Sequence, residues 1–174
     1  MKSDDVILAV RTVVESDRTK IENIIATLTG GWEAWLQVEA ALGLISQLGV
    51  GSAAAREHLY PAPDNARKCD LFLKPRLGTE IYVELKVQNS PGDNILARFT
   101  GDVEKIKALD QETKKKVVLV ATAFMMQFDA AALKTYCLKT GGNLKVQQWD
   151  GTKWNDATSN PVSGQPTLAS YKYL

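Results

Sequence analysis

The residues of this sequence best suited to chemistry lie in segment 81–87, where apolar and polar side chains alternate. A period of two is typical of a β-strand with one buried face, and successive side chains point to opposite faces. Glu84 and Lys86 are therefore expected side by side, with Gln88 following on the same face. A carboxylate, an ammonium and an amide in a row can hold a cation and a phosphate. Taken alone, the segment is better explained as a solvated strand face with an ion pair between Glu84 and Lys86.

Asp70 is a second carboxylate that can join this site. It begins an apolar segment that predicts another strand, and it lies on the opposite side from Leu71. If this strand and the Glu84 strand form a hairpin, the two carboxylates meet on one face near one end. Two close carboxylates repel each other unless a cation lies between them, and Mg²⁺ or Mn²⁺ prefers such oxygen ligands. A turn-closing role for Asp70 is the alternative, because Asp is common in turns.

Such an ion would activate water for attack on a phosphodiester, and Lys86 would orient that water or neutralise the developing charge. Glu39 adds a third carboxylate, on a helix predicted over 32–48. It follows Leu36 by three residues and so lies on an apolar stripe, where a buried carboxylate needs a partner. A metal or its water is one such partner, and Arg56, Arg67 or a backbone donor is the other.

The rest of the sequence predicts the elements that position these residues. Helical spacing from Ser3 onward predicts one long helix ending at Gly30-Gly31, or two helices with a break near Ser16-Asp17. After it we expect, in order, the helix over 32–48, strands over 56–60, 70–74 and 81–87, a helix that includes Ile95, a buried strand over 116–124, a helix capped by Asp129, a hairpin turning at Asp150-Gly151, and a short edge strand over 168–174.

This order predicts an α/β fold, namely a single domain over 1–174 with a mixed central sheet flanked by helices. The helix between the 81–87 and 116–124 strands forms a crossover connection. Strands joined in this way are usually parallel, whereas the strands before them are close enough in sequence for antiparallel hairpins.

Composition limits the function. The chain has 174 residues and a net charge of +1, which is not the profile of a strongly basic nucleic-acid binder. It contains two cysteines and one histidine, with no Cys-x-x-Cys pair, which argues against a structural zinc site. No apolar run approaches the roughly 18 residues of a membrane span, so we expect a cytoplasmic protein without a membrane partner.

The ordered set of acids and lysine resembles the PD-(D/E)XK nuclease superfamily, which has the restriction-endonuclease-like fold. The resemblance covers roughly residues 32–124, with 1–31 as an N-terminal helical extension and 125–174 as a C-terminal helix, hairpin and tail. It implies a core made of a helix, three strands, a second helix and a further strand.

The resemblance also implies roles for individual residues. Asp70 and Glu84 match the metal-binding acids, Lys86 matches the catalytic lysine, and Glu39 matches an additional helix carboxylate that ligates a second ion or its water. Gln88 resembles a polar residue found in some branches of the superfamily. One departure is that Cys69, not proline, precedes Asp70. The dipeptide Pro63-Asp64 supplies the literal motif, but it lies in a turn-rich loop, so Asp70 is preferred.

The functional expectation is therefore a Mg²⁺- or Mn²⁺-dependent nuclease acting on nucleic acid, with DNA as the expected substrate and a homodimer as a plausible assembly. Arg98, Lys105 and Arg67 are candidate phosphate contacts, and a solvated helix face is the alternative for the first two. The rival function is a non-catalytic binding protein on the same fold, such as an immunity or inhibitor protein or a structural subunit. Near-zero net charge, small size and the lack of an appended DNA-binding domain favour that rival.

Overall fold

The computed structural model describes residues 3–27, 32–48, 53–60, 67–112, 117–140 and 143–173. Within these ranges the helices are α1 Ser3–Ser16, α2 Arg18–Thr27, α3 Trp32–Leu48, α4 Ile95–Glu112 and α5 Ala130–Lys139. The strands are β1 Ala53–Leu59, β2 Lys68–Lys74, β3 Ile81–Val87, β4 Val118–Met125, β5 Leu144–Trp149, β6 Trp154–Asp156 and β7 Thr167–Tyr173. The predicted features Gly30-Gly31 and Pro63-Asp64 lie outside the described residues.

All of these strands belong to one sheet with the order β1-β2-β3-β4-β7-β5-β6. Neighbouring strands are antiparallel except β3 and β4, which are parallel because α4 crosses over between them. The predicted α/β class, with a mixed sheet flanked by helices, is confirmed. Among the described helices, none is both long and apolar enough to cross a membrane.

The two faces of the sheet are covered by different helices. Val83 of β3 packs in a cluster with Val6 of α1 and Leu44 of α3. On the other face, Tyr82 packs in a cluster with Phe99 of α4. Because side chains alternate along a strand, the even-numbered positions of β3 point toward α4. The polar positions of this strand are therefore enclosed, and they do not form an ordinary solvated strand face.

The break predicted near Ser16-Asp17 separates α1 from α2. The Asp17 N–H still bonds Val13 O at 3.1 Å, while its carbonyl accepts from Ile21 N at 2.9 Å. Asp17 thus ends one helix and begins the next with little interruption of the hydrogen bonding. The two-helix alternative is the one that forms.

The prediction of a short edge strand over 168–174 is wrong in its position. Strand β7 lies inside the sheet, paired with β4 on one side and β5 on the other. Thr122 of β4 and Ser170 of β7 share a buried hydrogen bond of 3.1 Å. The pairing that buries them joins positions far apart in the chain, which periodicity does not reveal.

The predicted hairpin turning at Asp150-Gly151 is confirmed, and its second strand, β6, begins at Trp154. Trp149 pairs with Trp154, and their ring centroids lie 5.8 Å apart in an edge-on arrangement. The connection extends from Asp150 to Lys153, since the Asp150 N–H bonds Lys153 O at 3.1 Å and its carboxylate accepts from the Lys153 N–H at 3.0 Å. A side-chain-stabilised turn of this kind needs more residues than a two-residue turn.

Candidate functional site

The hairpin of β2 and β3 places Asp70 and Glu84 close to each other at the point where the pairing of these two strands ends. Leu71 pairs with Val83, so the next position in this register sets Asp70 opposite Glu84. The two carboxylates therefore lie on the face covered by α4. Asp70 also closes the ladder, because its Oδ2 accepts a hydrogen bond from the Leu85 N–H at 2.7 Å.

Glu84 is a buried carboxylate with two donors on one oxygen. Its side chain is 2% exposed, and its Oε1 accepts from the Tyr60 hydroxyl at 2.5 Å and from the Lys105 ammonium. Burial, and next the charge of Asp70, raise the pKa of Glu84 to about 7, although Lys105 and Tyr60 act in the opposite direction. Lys105 and Tyr60 therefore offset only part of the effect that burial and the charge of Asp70 have on this pKa.

Lys86 is held among three carboxylates. Its Nζ lies 3.0 Å from Asp70 Oδ2, 3.4 Å from Glu33 Oε1 and 3.6 Å from Asp102 Oδ2. Burial by itself would lower the pKa of Lys86, but Asp70, Asp102 and Glu33 outweigh burial and raise it above its usual range. The ammonium therefore remains charged at neutral pH. It can act as a fixed positive charge but not as a proton acceptor.

Asp70, Glu84, Lys86, Asp102 and Lys105 form a cluster of charged side chains. Helix α3 contributes Glu33 to this cluster, whereas the sequence predicted Glu39. Glu33 Oε1 contacts Lys86, while Oε2 accepts from Arg98 Nη2 at 3.0 Å and from the Val87 N–H at 3.4 Å. Glu39 is six residues further along, about 240° around the helix. Within the described residues no hydrogen bond or ion pair joins Glu39 to Asp70, Glu84 or Lys86.

A tertiary contact at the start of α3 explains why Glu33, and not Glu39, reaches Lys86. The preceding residue, Trp32, is buried and donates its indole N–H to Gln88 O at 3.0 Å. This bond ties the first turn of the helix to the end of β3. Glu33 follows Trp32 directly and therefore lies beside the end of β3, whereas Glu39 lies further along the helix.

Gln88 serves a structural contact instead of joining the cluster. Its Oε1 accepts from the backbone N–H groups of Met126 and Gln127 at 2.7 and 2.9 Å, and its Nε2 donates to Ser90 O at 3.0 Å. The side chain is fully buried. Both ends of its amide are thus used to join the chain after β3 to the chain after β4.

The basic residues of α4 have partners inside the protein. Arg98 pairs with Asp93 at 2.7 Å and with Glu33, and Lys105 pairs with Glu84. They follow the helical spacing that puts both on the side facing the sheet. Both groups are thus already paired with carboxylates of the protein, and the expectation that they contact phosphate stays a prediction. The remaining candidate, Arg67, is half-buried, and its carbonyl accepts from the Tyr60 N–H at 3.1 Å.

A surface cavity of about 320 Å³ opens beside the cluster. Glu33, Asp70 and Arg98 line it, together with Gln37 and the exposed Arg56, which are hydrogen bonded to each other at 2.9 Å. Solvent therefore reaches the cluster from this side, and two guanidinium groups border the opening.

The donor set fits a hard divalent cation held by two carboxylates. Among the described residues neither Asp70 Oδ1 nor Glu84 Oε2 accepts a hydrogen bond, so each carboxylate keeps one oxygen available. Mg²⁺ is commonly bound by one or two carboxylates, with water and substrate oxygens completing the shell. In the same part of the chain no group of three or more His, Cys, Asp or Glu side chains is arranged to hold a metal. Asp70 and Glu84 would be the two protein ligands of such a cation.

The fold and this cluster define an α/β protein with enclosed acidic and basic side chains at the end of two antiparallel strands. Comparison with protein-family models, with curated proteins and with solved structures finds no significant match to the chain. Its function is therefore argued from the residues and their geometry.

Proposed function

We propose that this protein is a metal-dependent nuclease that hydrolyses phosphodiester bonds of nucleic acid, with DNA as the expected substrate. The observation that carries the proposal is the half-buried Lys86 ammonium, 3.0 Å from Asp70 and two residues from Glu84 in the chain. A charged lysine beside two close carboxylates provides what phosphodiester hydrolysis needs, namely a cation site and a fixed positive charge.

The topology supports the resemblance to the PD-(D/E)XK superfamily. Helix α3 is followed by the antiparallel strands β1, β2 and β3, then by the crossover helix α4 and the parallel strand β4. This is the order of elements that the resemblance implies. Asp70 and Glu84 lie on the two central strands of that unit.

Each residue of the cluster has a stated role in the proposal. Asp70 and Glu84 would hold Mg²⁺ or Mn²⁺, which when bound supplies an activated water and neutralises charge on the phosphate. Lys86 stabilises negative charge that develops on the phosphate. Glu33 replaces Glu39 as the helix carboxylate, because it holds the Lys86 ammonium in place at 3.4 Å.

The test is cleavage of supercoiled plasmid, single-stranded DNA and RNA in the presence of Mg²⁺, Mn²⁺ or EDTA. Wild type should cut at least one substrate in a metal-dependent manner, and Glu84→Gln and Lys86→Met should not. The matched controls are Glu104→Gln and Lys107→Met, which remove another ion pair on α4, between the exposed Glu104 and the half-buried Lys107. Cutting by Glu84→Gln at the wild-type rate would contradict the proposal.

The second candidate is a non-catalytic binding protein, and a surface feature of α3 favours it. Val38, Leu42 and Ile45 follow helical spacing and are 39%, 57% and 42% exposed. A row of exposed apolar side chains is a common feature of protein–protein contact surfaces. A melting temperature independent of Mn²⁺, together with no cleavage of any substrate, would favour this candidate over the nuclease. Light scattering would test whether the protein forms a homodimer.

A further inference from the structure

Lys105 occupies a cation site that the protein builds from its own groups. Its Nζ donates to Glu84 Oε1 and to Lys68 O at 2.8 Å, and it lies 5.1 Å from the centre of the Tyr60 ring. A carboxylate, a carbonyl and an aromatic face are three groups that attract a cation. The ammonium is therefore well placed to neutralise Glu84 when no metal is present.

The two lysines of the cluster differ in which carboxylates they contact. Lys86 is held by Asp70, Glu33 and Asp102, and it makes no hydrogen bond to Glu84 within the described residues. A cation bound to Glu84 and to Asp70 Oδ1 would leave the contacts of Lys86 with Asp70 Oδ2, Glu33 and Asp102 in place. Lys105, in contrast, has Glu84 as its carboxylate partner.

A divalent cation on Glu84 and the ammonium of Lys105 would compete for the same carboxylate. Glu84 is 2% exposed, so water screens little of the repulsion between two cations placed beside it. The Lys105 side chain is 25% exposed, and a lysine stem has four carbons with free rotation. The ammonium can therefore move out to solvent when another cation arrives.

We infer that Lys105 is an internal counter-cation that holds Glu84 in the metal-free protein and that a divalent metal ion must displace it to bind. This inference rests on the proposed function, because it concerns the same carboxylates, but it is tested by metal binding and not by cleavage. The inference gives Lys86 and Lys105 different roles. Lys86 stays at the site throughout, while Lys105 sets how much free metal is needed to load it.

The experiment is a titration of the full chain with MnCl₂ at pH 8, followed by calorimetry and by melting temperature. Lys105→Gln should bind Mn²⁺ at least about tenfold more tightly than wild type, since the competing charge is removed. Lys105→Arg keeps a positive charge and should stay near wild type. Lys107→Gln is the matched control, because Lys107 pairs with the exposed Glu104 on the same helix.

A second measurement needs no variant and covers the case in which Lys105→Gln fails to fold. Lysine acetylation of the wild type, read by mass spectrometry, should speed up severalfold at Lys105 when Mn²⁺ is added. The rate at Lys107 should not change. An unchanged rate at Lys105 in metal-saturated protein would overturn the inference.

The outcomes separate the two proposals. Equal Mn²⁺ affinity in wild type and Lys105→Gln would overturn the role of Lys105 and leave the nuclease proposal standing. No Mn²⁺ binding in either protein, together with no cleavage, would overturn both. Tighter binding by Lys105→Gln, with the Lys107→Gln control unchanged, is the expected result.

Discussion

Replacing Glu84 by Gln should change how the stability of the protein depends on pH. The carboxyl is buried, and burial together with the charge of Asp70 raises its pKa to about 7 from an ordinary value of 4.5. The folded protein therefore binds this proton more tightly than the unfolded chain does. The free energy of unfolding contributed by Glu84 must then fall as the pH rises from 4.5 to about 7, and it levels off above that.

The size of the effect follows from the difference between the two pKa values. At about 1.4 kcal/mol per pH unit, the interval from pH 4.5 to about pH 7 corresponds to an upper limit of roughly 3–4 kcal/mol. Burial also raises the pKa of Asp102, although Lys86 opposes it, so wild type has a second contribution of the same sign. Subtracting the wild-type curve from that of Glu84→Gln isolates Glu84, because Gln is neutral at every pH and keeps an acceptor for Lys105.

The assay is urea unfolding at pH 5, 6, 7 and 8 in EDTA. Relative to wild type, Glu84→Gln should gain stability steadily from pH 5 to pH 7 and gain no more between pH 7 and pH 8. Glu104→Gln is the control, since Lys107 lowers the pKa of the exposed Glu104 and any effect there has the opposite sign. Parallel curves for wild type and Glu84→Gln would refute the placement of a buried carboxyl at this position.

Two further predictions concern the residues that the structure reassigns. Glu33→Gln should lower the rate of metal-dependent plasmid cleavage by more than about tenfold, because Glu33 holds Lys86 and Arg98 through charged contacts, whereas Glu39→Gln should leave the rate within about twofold. Equal losses in both variants would contradict this assignment. Gln88→Leu should lower the free energy of unfolding by about 3 kcal/mol or more, because two backbone N–H groups lose their acceptor. Urea unfolding measures it, and the same change at the exposed Gln127 should cost less than about 0.5 kcal/mol.

The sequence predicted those parts of the fold that depend on near neighbours. Alternation along β3 indicates which side chains share a face, and a short connection from β2 makes the hairpin the natural pairing. Together these two local patterns are enough to place Asp70 beside Glu84. The crossover by α4 likewise makes β4 parallel to β3.

Other features depended on the packing of distant elements. The position of β7 inside the sheet requires pairing with both β4 and β5, and no local pattern records those partners. The contact of Gln88 with the chain after β4 has the same origin. Its hydrogen-bond partners come within reach only because the ends of β3 and β4 lie side by side in the sheet. The sequence alone predicted Gln88 as a polar residue of the catalytic site.

What the sequence by itself determined is the set of central groups, Asp70, Glu84 and Lys86, because period-two alternation orients side chains without reference to the rest of the protein. What only the tertiary structure decided is which groups surround them. Glu33 reaches Lys86, and Lys105 reaches Glu84, because α3 and α4 are packed on the sheet with a particular rotation about their axes. That rotation is set by the burial of whole helix faces. Helical spacing in the sequence identifies the buried face of a helix, but it does not identify the strand residues that this face contacts.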